Sequence, residues 1–165
     1  MITEMCAAIF NLDGVIVDTA KYHYLAWKSL ANDLGFDFTE TDNERLKGAS
    51  RVCSLEILLE IGGITLDESA KTTAAACKNA RYVDYISQMD ASEILPGAAE
   101  YPQTIRVRGV KTALGSASKN APLILDRLGI TPLFDDMMDP EKAQLRFDIQ
   151  KAVKLVWEGV KFFRQ

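Results

Sequence analysis

The chain is poor in the residues that define several protein classes. Its three cysteines, Cys6, Cys53 and Cys77, show no Cys-x-x-Cys spacing, which argues against a zinc site and predicts reduced thiols in a cytoplasmic protein. Ten glycines and five prolines among 165 residues exclude collagen-like and low-complexity chains. No apolar run approaches the roughly 20 residues of a membrane span, and the first residues lack the basic start of a signal peptide.

Neither sign of charge dominates the chain. Nineteen basic and 23 acidic residues give a net charge of -4, which disfavours a surface that binds nucleic acid. Any bound anion must therefore be held by a few local basic groups. The length of 165 residues and the 48% of hydrophobic residues predict one globular domain or a small two-part unit.

The first half of the chain contains one short apolar run followed by helical patterns. Residues Ala7–Phe10 predict a buried strand that ends in a polar, glycine-containing loop. From Asp18 the apolar residues fall at helical spacing, and further helical stretches follow at about 50–61 and up to about 89. The last of these begins with Thr65-Leu66-Asp67-Glu68, which has the form of a capping box. Residues 18–93 are therefore predicted to be an all-helical cap domain.

Beyond Leu95-Pro96-Gly97 the pattern alternates between helix and strand. We predict a helix up to Gly109, strands at 110–115 and 133–138, and a helix at about 121–128. Pro102 lies inside the first of these helices and should kink it or delay its start. Alternation of this kind predicts an α/β core of residues 1–17 and 94–165 with a parallel sheet, interrupted by the cap.

The last residues of the chain show an apolar stripe at helical spacing. Asp139 and Pro140 suit the start of a helix, and seven apolar residues between 145 and 163 share one face. Such a stripe predicts either packing over the sheet or self-association through residues 140–163.

The first strand and loop, Ala8-Ile9-Phe10-Asn11-Leu12-Asp13-Gly14, resemble the first motif of the haloacid dehalogenase-like (HAD) phosphotransferases, in which Asp-x-Asp-Gly follows an apolar strand. Other stretches resemble its β-phosphoglucomutase-like members, namely Tyr22-His23, Leu46-Lys47-Gly48-Ala49-Ser50-Arg51, Lys78-Asn79 and Gly115-Ser116-Ala117-Ser118-Lys119-Asn120. The resemblance covers about residues 5 to 139 and implies a Rossmannoid parallel sheet with an inserted helical cap. Because it fades after Asp139, we expect an incomplete sheet and a chain shortened at its C-terminal end.

The resemblance also implies a reaction and the groups that carry it. Members convert β-glucose 1-phosphate to glucose 6-phosphate through an aspartyl phosphate and need Mg²⁺. Asn11 stands at the position of the nucleophile and Asp13 at that of the general acid and base, and both positions are metal ligands in the family. His23 matches a histidine beside the acid/base residue, and Ser116 matches the hydroxyl that holds a phosphoryl oxygen.

The implied partner is a sugar phosphate or inorganic phosphate, with no role for nucleic acid or membrane. The matching substrate-binding positions are Thr19, Trp27, Gly48, Arg51, Lys78, Ala117, Ser118, Lys119 and Asn120. Structural alternatives exist for several of them. A lone histidine is more often structural, Ser118 or Asn120 could act as a helix N-cap, and Lys78 with Lys71 and Arg81 could form a solvated helix face.

Two departures from the family pattern bear on catalysis. A neutral amide such as Asn11 cannot form an acyl phosphate, and it is a weaker ligand for a hard cation than a carboxylate. No stretch after Asp139 matches the lysine of the family's third motif or the acidic pair of its fourth. Three functions therefore remain open: a β-phosphoglucomutase-type phosphotransferase, an inactive protein that binds sugar phosphates, or a shortened product without a selected function.

Overall fold

A computed structural model describes residues 7–116 and 118–138, and these residues divide into two compact units. One unit, the α/β unit, contains the chain up to Asp18 and from Met89 onward. The other, the cap, contains Thr19–Gln88. Cys6, Ala117 and the apolar stripe of residues 140–163 lie outside the described residues, so the expected tail helix and its self-association remain predictions.

A three-stranded parallel sheet forms the centre of the α/β unit. Strands β1 (Ala7–Phe10), β2 (Lys111–Gly115) and β3 (Asp136–Met138) lie in the order β1-β2-β3. Ala7 pairs with Lys111 and Phe10 with Leu114. The predicted α/β class with a parallel sheet is therefore confirmed. Strand β3 is shorter than predicted, because Thr131–Leu133 forms a turn of 3₁₀ helix instead.

Four helices make up the cap: α1 (Ala20–Asp33), α2 (Glu40–Glu44), α3 (Arg51–Gly62) and α4 (Glu68–Ile86). Helix α3 ends where the sequence predicts, since Gly63 adopts a φ of 62°, a left-handed conformation that favours glycine. The predicted capping box at Thr65 is wrong. Asp67 is the N-cap of α4, and its carboxylate accepts a hydrogen bond from the Ala70 N–H, 2.7 Å away.

Helix α2 was not expected from the sequence. Its N-cap, Thr39, accepts a hydrogen bond from the Asp42 N–H, and the Asp42 carboxylate accepts one from the Thr39 N–H at 2.9 Å. This is a reciprocal capping box with aspartate in the place of glutamate. The signal Thr-x-x-Asp was therefore present in the sequence.

A single apolar cluster holds the cap together. Phe38 and Leu58 are fully buried at its centre, and Trp27 of α1 is 4% exposed. The other buried members are Leu30, Ala31, Leu46, Leu55, Leu59 and Ala74. The cap thus has its own core, contributed by α1, α3 and α4 and by the segments that join them.

Two further helices belong to the α/β unit, α5 (Glu100–Val107) and α6 (Ala121–Leu128). Pro102 lies in the first turn of α5, where backbone N–H groups have no acceptor inside the helix, so the helix starts late rather than kinking. The Phe10 ring packs edge-on against Tyr101 and Phe134, each with centroids 5.9 Å away. None of the helices in the described part of the chain has the length and hydropathy of a membrane span.

A side-chain latch joins β2 to the segment before β3. The buried Thr112 hydroxyl donates to the Leu133 carbonyl at 2.6 Å, and the Thr112 N–H donates to the Asp135 carboxylate at 2.9 Å. This N–H, with Arg106 and Lys111 nearby, lowers the pKa of Asp135. The carboxylate therefore stays ionised and holds the start of β3 in register.

We expect Thr112→Val to lower the free energy of unfolding by about 1–3 kcal/mol, since it leaves the half-buried Leu133 carbonyl without its donor. Urea denaturation measures this change. Thr104→Val is the matched control, because the Thr104 hydroxyl donates to Glu100 of its own exposed helix and its loss should change stability by less than about 0.5 kcal/mol. Equal effects of the two substitutions would contradict the latch.

Candidate functional site

The loop after β1 is held by buried residues that leave its polar side chains exposed. The Leu12 carbonyl accepts hydrogen bonds from the N–H groups of Val15, Ile16 and Val17 at 2.9–3.3 Å. Leu12, Ile16 and Val17 are fully buried, whereas Asn11 and Asp13 are exposed. Gly14 turns the chain with a φ of 72°, which a residue with a side chain rarely adopts.

The sheet register places the first-motif loop beside the serine loop. Phe10 pairs with Leu114 in parallel strands, so Asn11 follows one strand where Gly115 and Ser116 complete the other. The carboxyl ends of adjacent parallel strands meet at the same edge of a sheet, where α/β proteins bind ligands. The predicted residues Asn11, Asp13 and Ser116 therefore lie at one edge of the α/β unit.

The described residues at this edge do not fit Mg²⁺. The Asn11 side-chain oxygen is uncharged, and it accepts a hydrogen bond from the Leu12 N–H at 2.8 Å that competes with a cation for its lone pairs. A hard cation prefers several anionic oxygens, and the described part of the chain has no group of three acidic, histidine or cysteine side chains that could hold a metal ion. The predicted ligands Asn11 and Asp13 thus make a poor metal site by themselves.

The loop from Ser116 to Asn120 uses much of its own hydrogen-bonding capacity. The Ser116 hydroxyl accepts from the Ser118 N–H at 3.1 Å, and the Ser118 hydroxyl accepts from the Asn120 N–H at 3.3 Å. The Ala121 N–H donates to the Ser118 carbonyl, and the next residue is a proline. Asn120 is the N-cap residue of α6, but its side chain makes no capping hydrogen bond. The alternative role of Asn120 as a side-chain N-cap is therefore not observed.

The hydrogen bonds within the loop from Ser116 to Asn120, the serine loop, limit which of its groups could bind an anion. Helix N-termini often bind anions through free N–H groups, but here the N–H groups of Ser118, Asn120 and Ala121 already have acceptors. The hydroxyl protons of Ser116 and Ser118 are donors that a phosphoryl oxygen could use instead.

In the cap, Lys78 lies buried among aromatic rings. Its residue is only 3% exposed, and its Nζ lies 4.7 Å from the Trp27 ring centroid and 4.9 Å from that of Tyr82. The Nδ1 atom of His23 is 2.9 Å from the same Nζ. The imidazole in turn stacks on Tyr82, with centroids 4.0 Å apart and planes inclined by 17°. The predicted residues His23, Trp27 and Lys78 are therefore in direct contact.

Burial shifts both titratable groups of this cluster toward their neutral forms. Desolvation, with a smaller contribution from Arg51, lowers the pKa of Lys78 from 10.5 to about 7. Desolvation, with the charges of Lys78 and Arg51, lowers the pKa of His23 from 6.5 to about 4. His23 is consequently neutral near pH 7, a pH at which Lys78 is half protonated.

Arg51 and Lys78 differ from the other basic side chains of the cap. Most of those form ion pairs: Lys28 with Asp37, Arg45 with Glu60, Lys47 with Glu44, Lys71 with Glu56 and Glu68, and Arg81 with Asp33. Within the described chain, neither Arg51 nor Lys78 has a carboxylate within 4.0 Å. Lys71 and Arg81 are half-buried and paired with carboxylates. The solvated-face alternative is wrong for Lys78, which is buried.

The remaining predicted residues occupy varied positions. Thr19 is buried, and its carbonyl accepts from the N–H groups of Tyr22 and His23 in the first turn of α1. Trp27 lies in the cap core rather than on an open surface. Gly48 is exposed between α2 and α3. Sequence reasoning missed Tyr82, although its place four residues after Lys78 on α4 was a usable signal.

Most of the chain is similar to known proteins. β-Phosphoglucomutase of Bacillus subtilis is 42% identical over 138 residues, which cover 82% of this chain and 61% of the relative. A phosphorylated carbohydrates phosphatase of Thermotoga maritima is 27% identical over 81% of this chain and 61% of its own length. The crystal structure of β-phosphoglucomutase from Clostridium difficile matches with a TM-score of 0.74 and 43% identity, covering 84% of this chain and 63% of that one.

The chain thus spans about three fifths of the length of the relatives that it matches. The sequence profile of the haloacid dehalogenase-like hydrolases matches residues 5–145. This match, with the similarity to β-phosphoglucomutase, confirms the resemblance predicted from the motifs. The chain belongs to the haloacid dehalogenase-like hydrolase family.

Proposed function

We propose that this chain binds a phosphorylated sugar and does not form a phosphoenzyme on Asn11. The observation that carries the proposal is the cluster of Arg51, Lys78 and His23, which has no carboxylate among the described residues. A lysine buried without an anionic partner is energetically unfavourable when charged. Such a group is typical of a binding site that is completed by an anionic ligand.

Arg51 is the residue best suited to the first contact with phosphate. It is exposed at the first position of α3, after the N-cap Ser50. A guanidinium can hold two phosphate oxygens at once, whereas an ammonium acts as a point charge. Lys78, which is buried, would supply the second positive group. Its contact with His23 Nδ1 holds the ammonium in place.

The α/β unit contributes its own phosphate-binding groups to the proposal. Ser116, Ser118 and Lys119 offer hydroxyl and ammonium donors at the carboxyl edge of the sheet, and Asn120 offers a side-chain amide. Asp13 stands at the family's acid/base position, where its carboxylate would accept a hydrogen bond from a sugar hydroxyl. Roles for Thr19, Trp27, Gly48 and Ala117 in substrate binding rest on the resemblance alone.

Asn11 argues for binding without turnover. Attack on phosphorus needs an anionic or readily deprotonated oxygen, and the amide oxygen of Asn11 is neutral and already accepts the Leu12 N–H. Enzymes of the family generally use Mg²⁺, but the described donor set does not fit the ion. The proposed binding therefore uses this chain's own cations.

A second candidate function is the phosphoglucomutase reaction itself. It is favoured by the 42% identity to an enzyme of that name and by the presence of Asp13, His23 and Ser116 at matching positions. Conversion of β-glucose 1-phosphate to glucose 6-phosphate by the unaltered chain would establish this alternative and overturn binding without turnover. Asn11→Asp supplies a carboxylate but not the lysine and the acidic pair that no stretch after Asp139 matches, so we expect no efficient turnover from this variant alone.

Calorimetric titration with glucose 6-phosphate tests the binding. We expect saturable binding that Arg51→Gln weakens by about 10- to 100-fold, corresponding to a charge-assisted contact worth 1.5–3 kcal/mol. Arg45→Gln is the matched control, since Arg45 also lies in the cap but pairs with Glu60. Arg45→Gln should leave the affinity unchanged. Absence of saturable binding, or equal losses in both variants, would overturn the proposal.

A further inference from the structure

The contact between Lys78 and His23 has two proton arrangements. When Lys78 is an ammonium, it donates to His23 Nδ1, and the ring proton of the neutral imidazole must then sit on Nε2. When Lys78 is a neutral amine, its lone pair can instead accept from a protonated Nδ1. The 2.9 Å separation fits either arrangement. A charged Lys78 thus requires the Nε2-protonated form of His23, whereas a neutral Lys78 is compatible with either tautomer.

The described groups that face Lys78 include no anion. Helix α1 contributes His23 and the Trp27 ring, helix α3 contributes the positive charge of Arg51, and α4 itself contributes Tyr82. The aromatic faces attract a cation weakly, but the described chain places no carboxylate beside the amine to offset its desolvation. The acidic residues that face α4 elsewhere, Asp33 and Glu56, are paired with Arg81 and Lys71.

We infer that the Lys78–His23 pair couples binding of a phosphorylated ligand to the uptake of one proton by the cap. This inference rests on the proposed function, because it needs a phosphate to bind beside Arg51. Arg51 already acts on Lys78 electrostatically, so a dianion seated on Arg51 acts on Lys78 over a similar range and with the opposite sign. The net change is one proton taken from solvent. Where His23 already carries its proton on Nε2, the solvent proton bonds directly to the lone pair of Lys78 Nζ. Where His23 carries it on Nδ1, that proton passes to Nζ and the solvent proton bonds to Nε2.

The linkage predicts a specific dependence of affinity on pH. Below about pH 7 Lys78 is already charged, so binding takes up no proton there. Above this pH the amine is mostly neutral, and binding is accompanied by its protonation. Because protons become scarcer as the pH rises, the affinity should fall by about tenfold per pH unit. The second ionisation of a phosphate monoester lies near pH 6, so above about pH 7.5 the ligand is already a dianion and does not contribute to this slope.

Calorimetry in buffers of different ionisation enthalpy measures the proton count directly. With glucose 6-phosphate at about pH 8, we expect uptake of close to one proton per ligand bound. Lys78→Met should bind more weakly, with no proton uptake. Lys78→Arg should bind with affinity independent of pH, because a guanidinium keeps its proton above pH 12. The control Lys71→Met should retain the full uptake.

Nuclear magnetic resonance of the unaltered chain provides a readout that does not depend on variants. The Lys78 side-chain signals should titrate near pH 7 without ligand and well above pH 8 with it. The His23 ring nitrogens should shift toward the Nε2-protonated form as ligand is added. Saturable, Arg51-dependent binding with no proton uptake and a flat pH profile would overturn the inference but leave the proposed function intact. Lack of any binding would overturn both.

Discussion

Replacing Lys78 with methionine should stabilise the protein at pH 6 and lose this advantage as the pH rises. Between its folded pKa of about 7 and its usual value of 10.5, Lys78 is more protonated in the unfolded chain than in the folded one. Stability therefore rises with pH through this window, by up to about 1.4 kcal/mol per pH unit for one proton. Methionine keeps the apolar volume without the charge.

His23 should add a second rise in stability at lower pH. Its folded pKa of about 4 lies below its usual 6.5, so the unfolded chain again binds more protons between these values. Lys78→Met should remove the upper rise and keep most of the lower one, because desolvation is the largest cause of the lowered His23 pKa and the charge of Lys78 is a smaller one. Urea unfolding at a series of pH values measures both rises. The gain at pH 6 is reduced by the hydrogen bond that His23 loses, which is worth about 1 kcal/mol.

Lys71→Met is the control on the same helix. Lys71 pairs with Glu56 and Glu68, and these hydrogen bonds raise its pKa rather than lower it. Its replacement should not stabilise the protein at pH 6 or alter the rise above pH 7. A Lys78→Met variant that is less stable than the original chain at pH 6, with the same pH profile, would show that Lys78 is charged and favourably paired.

Phe38→Ala should lower the free energy of unfolding of the cap by about 3–5 kcal/mol. Phe38 is fully buried within the apolar cluster, and its ring lies 6.2 Å from that of Tyr24. Truncation leaves a cavity that the surrounding helices fill only in part. This loss is a large fraction of the 5–15 kcal/mol that stabilises a typical domain.

The fluorescence of Trp27 measures this effect, since Trp27 belongs to the same cluster. The measurement uses a Trp157→Phe background, because the chain has two tryptophans. Val52→Ala is the control, as Val52 is 69% exposed on α3 and its truncation should change stability by less than about 0.5 kcal/mol. A similar small change for Phe38→Ala would mean that the cap does not depend on this core.

The local sequence determined most of the element boundaries. Helix α6 spans Ala121–Leu128 as predicted and ends before Gly129, and α3 begins after the N-cap Ser50. Such ends depend on one or two residues that satisfy backbone groups or allow a left-handed turn. The wrong prediction at the start of α4 also concerns a local choice. Asp67, not Thr65, is the N-cap. Either side chain can accept a hydrogen bond from a helix N–H, and the sequence alone does not rank the two positions.

The motifs also identified the residues of the candidate site before any fold was known. Asn11, Asp13 and Ser116 could be assigned to one sheet edge because parallel strands carry their loops at the same end. Whether their hydrogen-bonding groups are available could not be predicted. The Leu12 N–H takes up the Asn11 oxygen, and the serine loop satisfies its own N–H groups, which depends on backbone angles rather than on residue type.

The burial and the lowered pKa of Lys78 depend on tertiary structure and could not be predicted from the sequence alone. Lys71, Lys78 and Arg81 are basic residues on one helix, and composition and charge do not distinguish them. Ala74, Lys78, Tyr82 and Ile86 form a buried row at intervals of four residues, yet this row becomes an interior only because α1 packs Trp27 and His23 against it. The sequence alone determined the family, the helices and the identity of the basic groups. The packing of α1 on α4 decided which lysine is desolvated, and this desolvation lowers its pKa.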